Sequence, residues 1–135
     1  MTKEEKELLL KDLCVRTSYG VKVQYMNNIF NIDYISSMYE EIKLDTSGNW
    51  TIGVSEVKPY LFPLSSMTEE QKNTFSGKVS ILNAFIDGSI CLSEDEELTS
   101  EDIIELFDFL NKNHFDYRGL IEKGLATDAS DSNIY

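Results

Sequence analysis

Histidine is the side chain that exchanges protons near neutral pH, and this chain of 135 residues holds one, His114. It opens the run His114-Phe115-Asp116-Tyr117-Arg118-Gly119, which places an imidazole, a carboxylate, a phenol and a guanidinium on one short connector. Connectors behind helices are where catalytic and ligand-binding side chains gather. His114, Asp116, Tyr117 and Arg118 are therefore the candidate site of a small enzyme or ligand-binding protein, which would also need a concave pocket, with Tyr60 and Phe62 available to roof it. A plainer use competes. A histidine at the end of a helix suits the negative pole of the dipole, Phe115 and Tyr117 can cover a core, and Asp116 can pair with Arg118. This second use asks for nothing beyond ordinary folding and carries more weight.

Other chemistries lack their residues. A phosphate-cradling loop needs a glycine-rich turn ending in Gly-Lys-Ser/Thr, whereas Ser76-Gly77-Lys78-Val79 lacks the earlier glycine and has Val79 where a hydroxyl would meet magnesium. A nucleophile elbow, Gly-x-Ser-x-Gly, stops short at Gly53-Val54-Ser55-Glu56-Val57. Cys14 and Cys91 lie far apart and, with a single histidine, do not make a four-ligand zinc set; they read as reduced, buried core thiols. Asp45-Thr46-Ser47-Gly48-Asn49 and Asp128-Ala129-Ser130-Asp131 match only fragments of a calcium loop. No cofactor or metal site is expected.

The densest charge lies elsewhere. Glu94, Asp95, Glu96, Glu97, Glu101, Asp102, Glu105 and Asp108 are eight acidic residues within fifteen, uninterrupted by lysine or arginine. Such a surface could dock a basic protein, or occupy a nucleic-acid-binding protein by imitating phosphates; its simplest role is a solvated face that aids solubility. The whole chain leans the same way, with 24 acidic residues against 12 basic ones and a net charge of −12. A polyanion without a basic cluster has no counterion-releasing footprint for DNA or RNA, so no direct nucleic-acid contact is expected. Anionic membrane surfaces are disfavoured on the same ground.

These residues must be held by elements that the pattern makes legible. Thr2 with Glu5 forms a capping box for a helix reaching about residue 14, with Leu9 and Leu13 on its apolar side beside Leu8, Leu10 and Cys14. Val21 to Tyr25, Phe30 to Tyr34, Tyr39 to Leu44 and Trp50 to Val54 each alternate apolar and polar, which predicts four strands in an antiparallel meander, with a turn at Asn27-Asn28 and another over residues 45–49. An SH3-like small barrel is one form such a meander could take. Pro59 and Pro63 each remove a ladder donor, so residues 57–64 read as an extended surface connector and not as a central strand.

A second helix is capped by Ser66 or Thr68 and stopped by Gly77, a third spans about 79–86, and the alternative for 86–92 is a strand turn. Thr99 opens the strongest helix, which ends near Asn113 and has Ile103, Ile104, Phe107 and Leu110 as its expected buried stripe, widened by Leu106 and Phe109. The whole reads as one α+β domain over residues 1–125: a helix at 1–14, meander and connector at 20–64, a helical part at 65–125, then a flexible tail at 126–135. The charged opening and the short Leu8-Leu9-Leu10 run make no signal peptide, and no apolar run approaches the roughly 20 residues of a spanning helix, so a cytoplasmic chain without membrane contact is expected.

Three strings have a further use: Leu8-Leu9-Leu10-Lys11-Asp12-Leu13-Cys14, the stretch Val57-Lys58-Pro59-Tyr60-Leu61-x-Pro63-Leu64-Ser65-Ser66-Met67-Thr68-Glu69-Glu70, and His114 through Ile121 with Gly124-Leu125-Ala126. They resemble segments of a family of short uncharacterised proteins from gut bacteria and their phage or mobile elements, and they cover about a quarter of the chain. The resemblance implies lineage only and brings no activity, cofactor or catalytic residue; if the phage or mobile-element context holds for this chain, a role in phage or host regulation is expected. With no catalytic motif complete, the expected function is a non-enzymatic acidic protein-interaction or regulatory domain. The alternative is the small enzyme or ligand-binding protein built around His114, Asp116, Tyr117 and Arg118.

Overall fold

The computed structural model describes residues 1–45, 50–88, 99–131 and 133–135. Helix α1, Lys3–Arg16, starts at the expected capping box: the Thr2 hydroxyl accepts from Glu5 N–H at 3.1 Å and the Glu5 carboxylate accepts from Thr2 N–H at 2.9 Å. Its buried face is Leu9, Asp12, Leu13 and Arg16, the i, i+3, i+4, i+7 stripe of one helix side. Cys14 falls off that stripe and is exposed, which corrects the expected core thiol; Cys91 lies outside the described residues.

Strands β1, Lys22–Tyr25, and β2, Asn28–Ser36, form a hairpin whose turn is Met26-Asn27, one residue earlier than expected, with both φ angles positive at 48° and 64°. Strand β3, Glu41–Leu44, and β4, Ile52–Gly53, complete the meander. Ile42, Leu44 and Ile52 point into the core, whereas Trp50, expected on the same face as Ile52, is exposed. The expected turn at 45–49 lies largely outside the described residues.

Residues 57–64 depart from expectation. Strand β5, Lys58–Pro63, sits inside the sheet, pairing antiparallel with β1 and parallel with two short strands, β6, Phe115–Asp116, and β7, Thr127–Asp128. The prolines are tolerated because they occupy the second and last positions of β5. The amides between them do the pairing, as when Phe62 N–H donates to the His114 carbonyl at 2.8 Å. The sheet runs β4-β3-β2-β1-β5-β6 with β7 also on β5 and does not close, so it is not the SH3-like barrel considered above. Residues 126–129, assigned above to a flexible tail, instead lie against the sheet: β7 pairs with β5, Ala129 is fully buried, and its N–H donates to the Leu61 carbonyl at 2.8 Å.

The helical part follows the cap signals. Helix α2, Glu69–Asn73, and α4, Ser100–Lys112, each start with a capping box, built on Thr68 with Gln71 and on Thr99 with Asp102. Helix α3 spans Val79–Ile86 as expected. Gly77 does not stop α2, which ends at Asn73 with Thr74 as its cap; a Cβ at Gly77 would fall 2.6 Å from the Phe75 ring, so close packing is what requires glycine there. Helix α4 is rotated from its expected stripe: Leu106, Phe109, Leu110 and Asn111 are buried, Ile103 and Phe107 are half-buried, and Ile104 is 59% exposed. The fold is α+β, with two apolar clusters among the described residues. One joins α1 to the sheet through Leu9, Leu13, Val23, Ile42 and Leu61. The other joins α2 to α4 through Phe75, Leu82, Phe109 and Leu110. Phe115 belongs to the second cluster and Leu120 to the first, so the segment carrying the candidate residues ties the two together.

Candidate functional site

The four candidate residues are neighbours in sequence, but among the described residues they do not converge on one cavity. His114 follows the last turn of α4 with φ at 62°, the left-handed position where helices usually place glycine. Its N–H donates to the Asn111 carbonyl at 3.2 Å, closing the helix end. The imidazole is buried and stacks on Tyr135, ring centroids 3.8 Å apart and planes within 13°. Nδ1 is buried and has no hydrogen-bond partner among the described residues. Burial, helped by the nearby positive charge of Arg16, drives its pKa down to about 4, so the ring is neutral at pH 7. A general base has to reach its substrate, and this ring lies under a phenol.

Asp116 is consumed by backbone. Its Oδ1 accepts from Arg118 N–H at 3.2 Å and Leu120 N–H at 3.0 Å, and its Oδ2 from Ile121 N–H at 2.9 Å. It therefore caps the turn that carries Leu120 into the core. The expected Asp116–Arg118 side-chain pair does not form; the Arg118 guanidinium goes to Asp12, Nε to Oδ1 at 3.2 Å. Asp12 in turn accepts from Arg16 Nε at 2.8 Å, and both side chains are fully buried. Burial raises the Asp12 pKa while the Arg16 and Arg118 guanidiniums pull it back. Arg16 Nη2 donates to the Phe115 carbonyl at 2.5 Å, whereas Nη1 is buried with no partner among the described residues. The Tyr117 ring has both guanidinium carbons 5.1 Å from its centroid, and its hydroxyl donates to Asn111 Oδ1 at 2.9 Å.

The result is a polar lattice of buried Asp12, Arg16 and Asn111 with half-buried Tyr117 and Arg118 that locks α1 to the end of α4. Asp12, Arg16 and Asn111 were not among the sequence candidates. The signal for the first two was present, since Asp12 and Arg16 share a helical stripe with Leu9 and Leu13, and charges on an apolar stripe are there to meet each other. Asn111 and Tyr135 carried no comparable mark.

Two grooves border the lattice. One, of about 590 Å³, runs between Val15, Phe85, Ile104 and Phe107 and reaches Tyr117 and Arg118; the other, of about 500 Å³, lies between Pro63, Ile86, Asp116 and Tyr117. Neither is lined by His114, and neither is roofed by Tyr60 or Phe62. Among the described residues no three His, Cys, Asp or Glu side chains gather as a metal site would need, and no helix is long and apolar enough to cross a membrane.

The acidic surface is only partly described. Glu94, Asp95, Glu96 and Glu97 lie outside the described residues. On α4, Glu101 and Asp108 are exposed, while Asp102 and Glu105 are half-buried. Asp102 is committed to its cap and takes the Thr99 N–H at 3.1 Å; Asp108 takes the Tyr19 hydroxyl at 3.2 Å. Compared with family models, curated proteins and solved structures, the chain matches none.

Proposed function

We propose that this chain is a non-enzymatic interaction or regulatory domain whose acidic surface, centred on α4, docks a basic protein. The observation that supports this reading is the contrast between two sets of side chains. His114, Asp116, Tyr117 and Arg118 are each engaged with backbone or with side chains of the fold, whereas Glu101 is exposed, and Asp108, although it takes the Tyr19 hydroxyl, is exposed as well, on a chain of net charge −12. Charge of one sign at an exposed face speeds encounter with the opposite sign and rejects like-charged partners. In a phage or mobile-element setting, the partner would be a basic regulator of host or phage.

Affinity capture over a tenfold range of sodium chloride tests this reading. The expected outcome is retention of a basic protein at low salt, its loss as salt rises, and weaker retention by the Glu101→Gln/Asp108→Asn variant. Equal capture by that variant, or no capture at low salt, would defeat it.

A further inference from the structure

Helix α4 carries more apolar surface than its core uses. Leu106, Phe109 and Leu110 fill the interior, and Ile103, Ile104 and Phe107 turn toward the groove of about 590 Å³. Phe85 from α3 and Val15 from α1 supply the facing walls, with the Phe85 and Phe107 rings meeting edge-on at 5.8 Å. Val15, 40% exposed, also lines a second groove of about 620 Å³ that follows α1 past Leu8 and Leu10. The two grooves share Val15 as a lining residue, and the apolar surface they make together, a shallow trough, extends from α4 to α1.

Charge identifies the occupant. Asp108 lines one groove and Glu4 and Glu7 line the other, and Glu101 stands one helical turn before Ile104. Of the two cations that line it, Arg118 is already paired with Asp12, which leaves Lys11. A second copy of this chain would bring another −12 and the same acidic rims, so the trough is poorly suited to self-association. An amphipathic helix fits both features, since its apolar anchors at i, i+3, i+4 and i+7 enter the trough and its lysines and arginines meet the rims.

We infer that this trough is the docking site for a basic amphipathic helix of the partner, with Val15, Ile104 and Phe107 receiving the anchors and Glu4, Glu7 and Asp108 the flanking cations. The inference rests on the proposed interaction role and names the partner's form.

Fluorescence anisotropy with a labelled leucine-lysine peptide of about 18 residues, leucines at helical spacing, tests it against a peptide of the same composition with the spacing scrambled. The helical peptide should bind about tenfold tighter than the scrambled one, and Val15→Ser/Ile104→Ser should weaken it about tenfold, because those side chains contribute apolar area only when covered. Both positions are exposed, so the variant keeps its core, and an unchanged thermal melt checks this. Trp50→Ser, at an exposed site elsewhere, should leave binding unchanged. Equal, salt-sensitive binding of both peptides that ignores Val15 and Ile104 would overturn the trough while leaving the charge-based role intact. Absence of binding to either peptide at low salt would overturn both. A concentration-dependent dimer dissolved by the Val15→Ser/Ile104→Ser change would make a second copy the occupant and overturn the inference.

Discussion

His114 is held neutral by burial and by the positive charge of Arg16, and that makes it a pH liability of the folded state. Its folded pKa of about 4 lies below the ordinary 6.5, so the unfolded chain takes up the proton first. The stability that neutral His114 permits is complete above pH 6.5 and drains away as pH falls from there toward 4. Between pH 7.5 and pH 5 the loss amounts to about 2 kcal/mol. His114→Phe keeps a ring for Tyr135 to stack on and removes the titration. Urea unfolding at the two pH values should therefore show the wild type losing about 2 kcal/mol more than the variant, and parallel losses would place the acid sensitivity elsewhere. Asp12 presents the opposite problem, because it is the partner of the fully buried Arg16. Asp12→Ala leaves a buried guanidinium uncompensated and should cost about 3–5 kcal/mol in urea unfolding. Replacing the pair together by Asp12→Leu/Arg16→Met should recover most of that loss. Failure to recover would mean that the Arg16 bond to the Phe115 carbonyl or the Arg118 bond to Asp12, and not the Asp12–Arg16 pair, is the stronger tie.

At the scale of elements, local signals served well wherever they were self-contained. The capping boxes on Thr2, Thr68 and Thr99 mark helix starts because the recognition is between residues three apart, and the alternation of Ile42 and Leu44 with Glu41 and Lys43 marks a strand that is apolar on one face. The failures are all matters of who lies next to whom. Pro59 and Pro63 read as strand breakers until their neighbours place them at the ends of β5. The α4 stripe is rotated because α3 and Val15 leave a groove where the periodicity alone predicted core. The candidate site was legible as a cluster but not as a site, since only the fold reveals that Arg118 turns to Asp12 and His114 to Tyr135.

Tyr135 itself shows how a distant residue completes an element. Its hydroxyl accepts from Lys22 N–H at 2.9 Å and donates to the Tyr60 carbonyl at 2.7 Å, so one phenol links β1 to β5. The residue keeps 42% of its surface exposed, yet burial around the phenol pushes its pKa up to about 12. Tyr135→Phe retains the stacking and removes the link, and it should cost about 1–2 kcal/mol. Amide exchange gives the sharper reading: the Lys22 amide should exchange faster in the variant while Val23 and Gln24 stay protected, and unchanged Lys22 exchange would show that the bond does not form in solution.

The whole molecule has to fold against its own charge. A net charge of −12 sits on a body whose radius of gyration is about 14 Å, so at 0.01 M salt, where the screening length is about 30 Å, every surface carboxylate repels every other. At 0.15 M the screening length shrinks to about 8 Å, which leaves local pairs such as Lys43 with Asp33 at 2.7 Å intact and removes the long-range repulsion. The buried Asp12–Arg16 pair is shielded from salt by the core and contributes nothing to this change. Sodium chloride over that range should therefore raise the melting temperature, by about 4 °C if the relief of repulsion is about 1 kcal/mol. Chloride is the proper salt, because sulfate would strengthen apolar burial as well and blur the cause. The Glu101→Gln/Asp108→Asn variant, with two fewer charges on α4, should start higher at low salt and gain less. A melting temperature that stays flat or falls with salt would mean that the 12 basic residues already neutralise the acids locally. The field on which docking of a basic helix depends would then be too weak to select it.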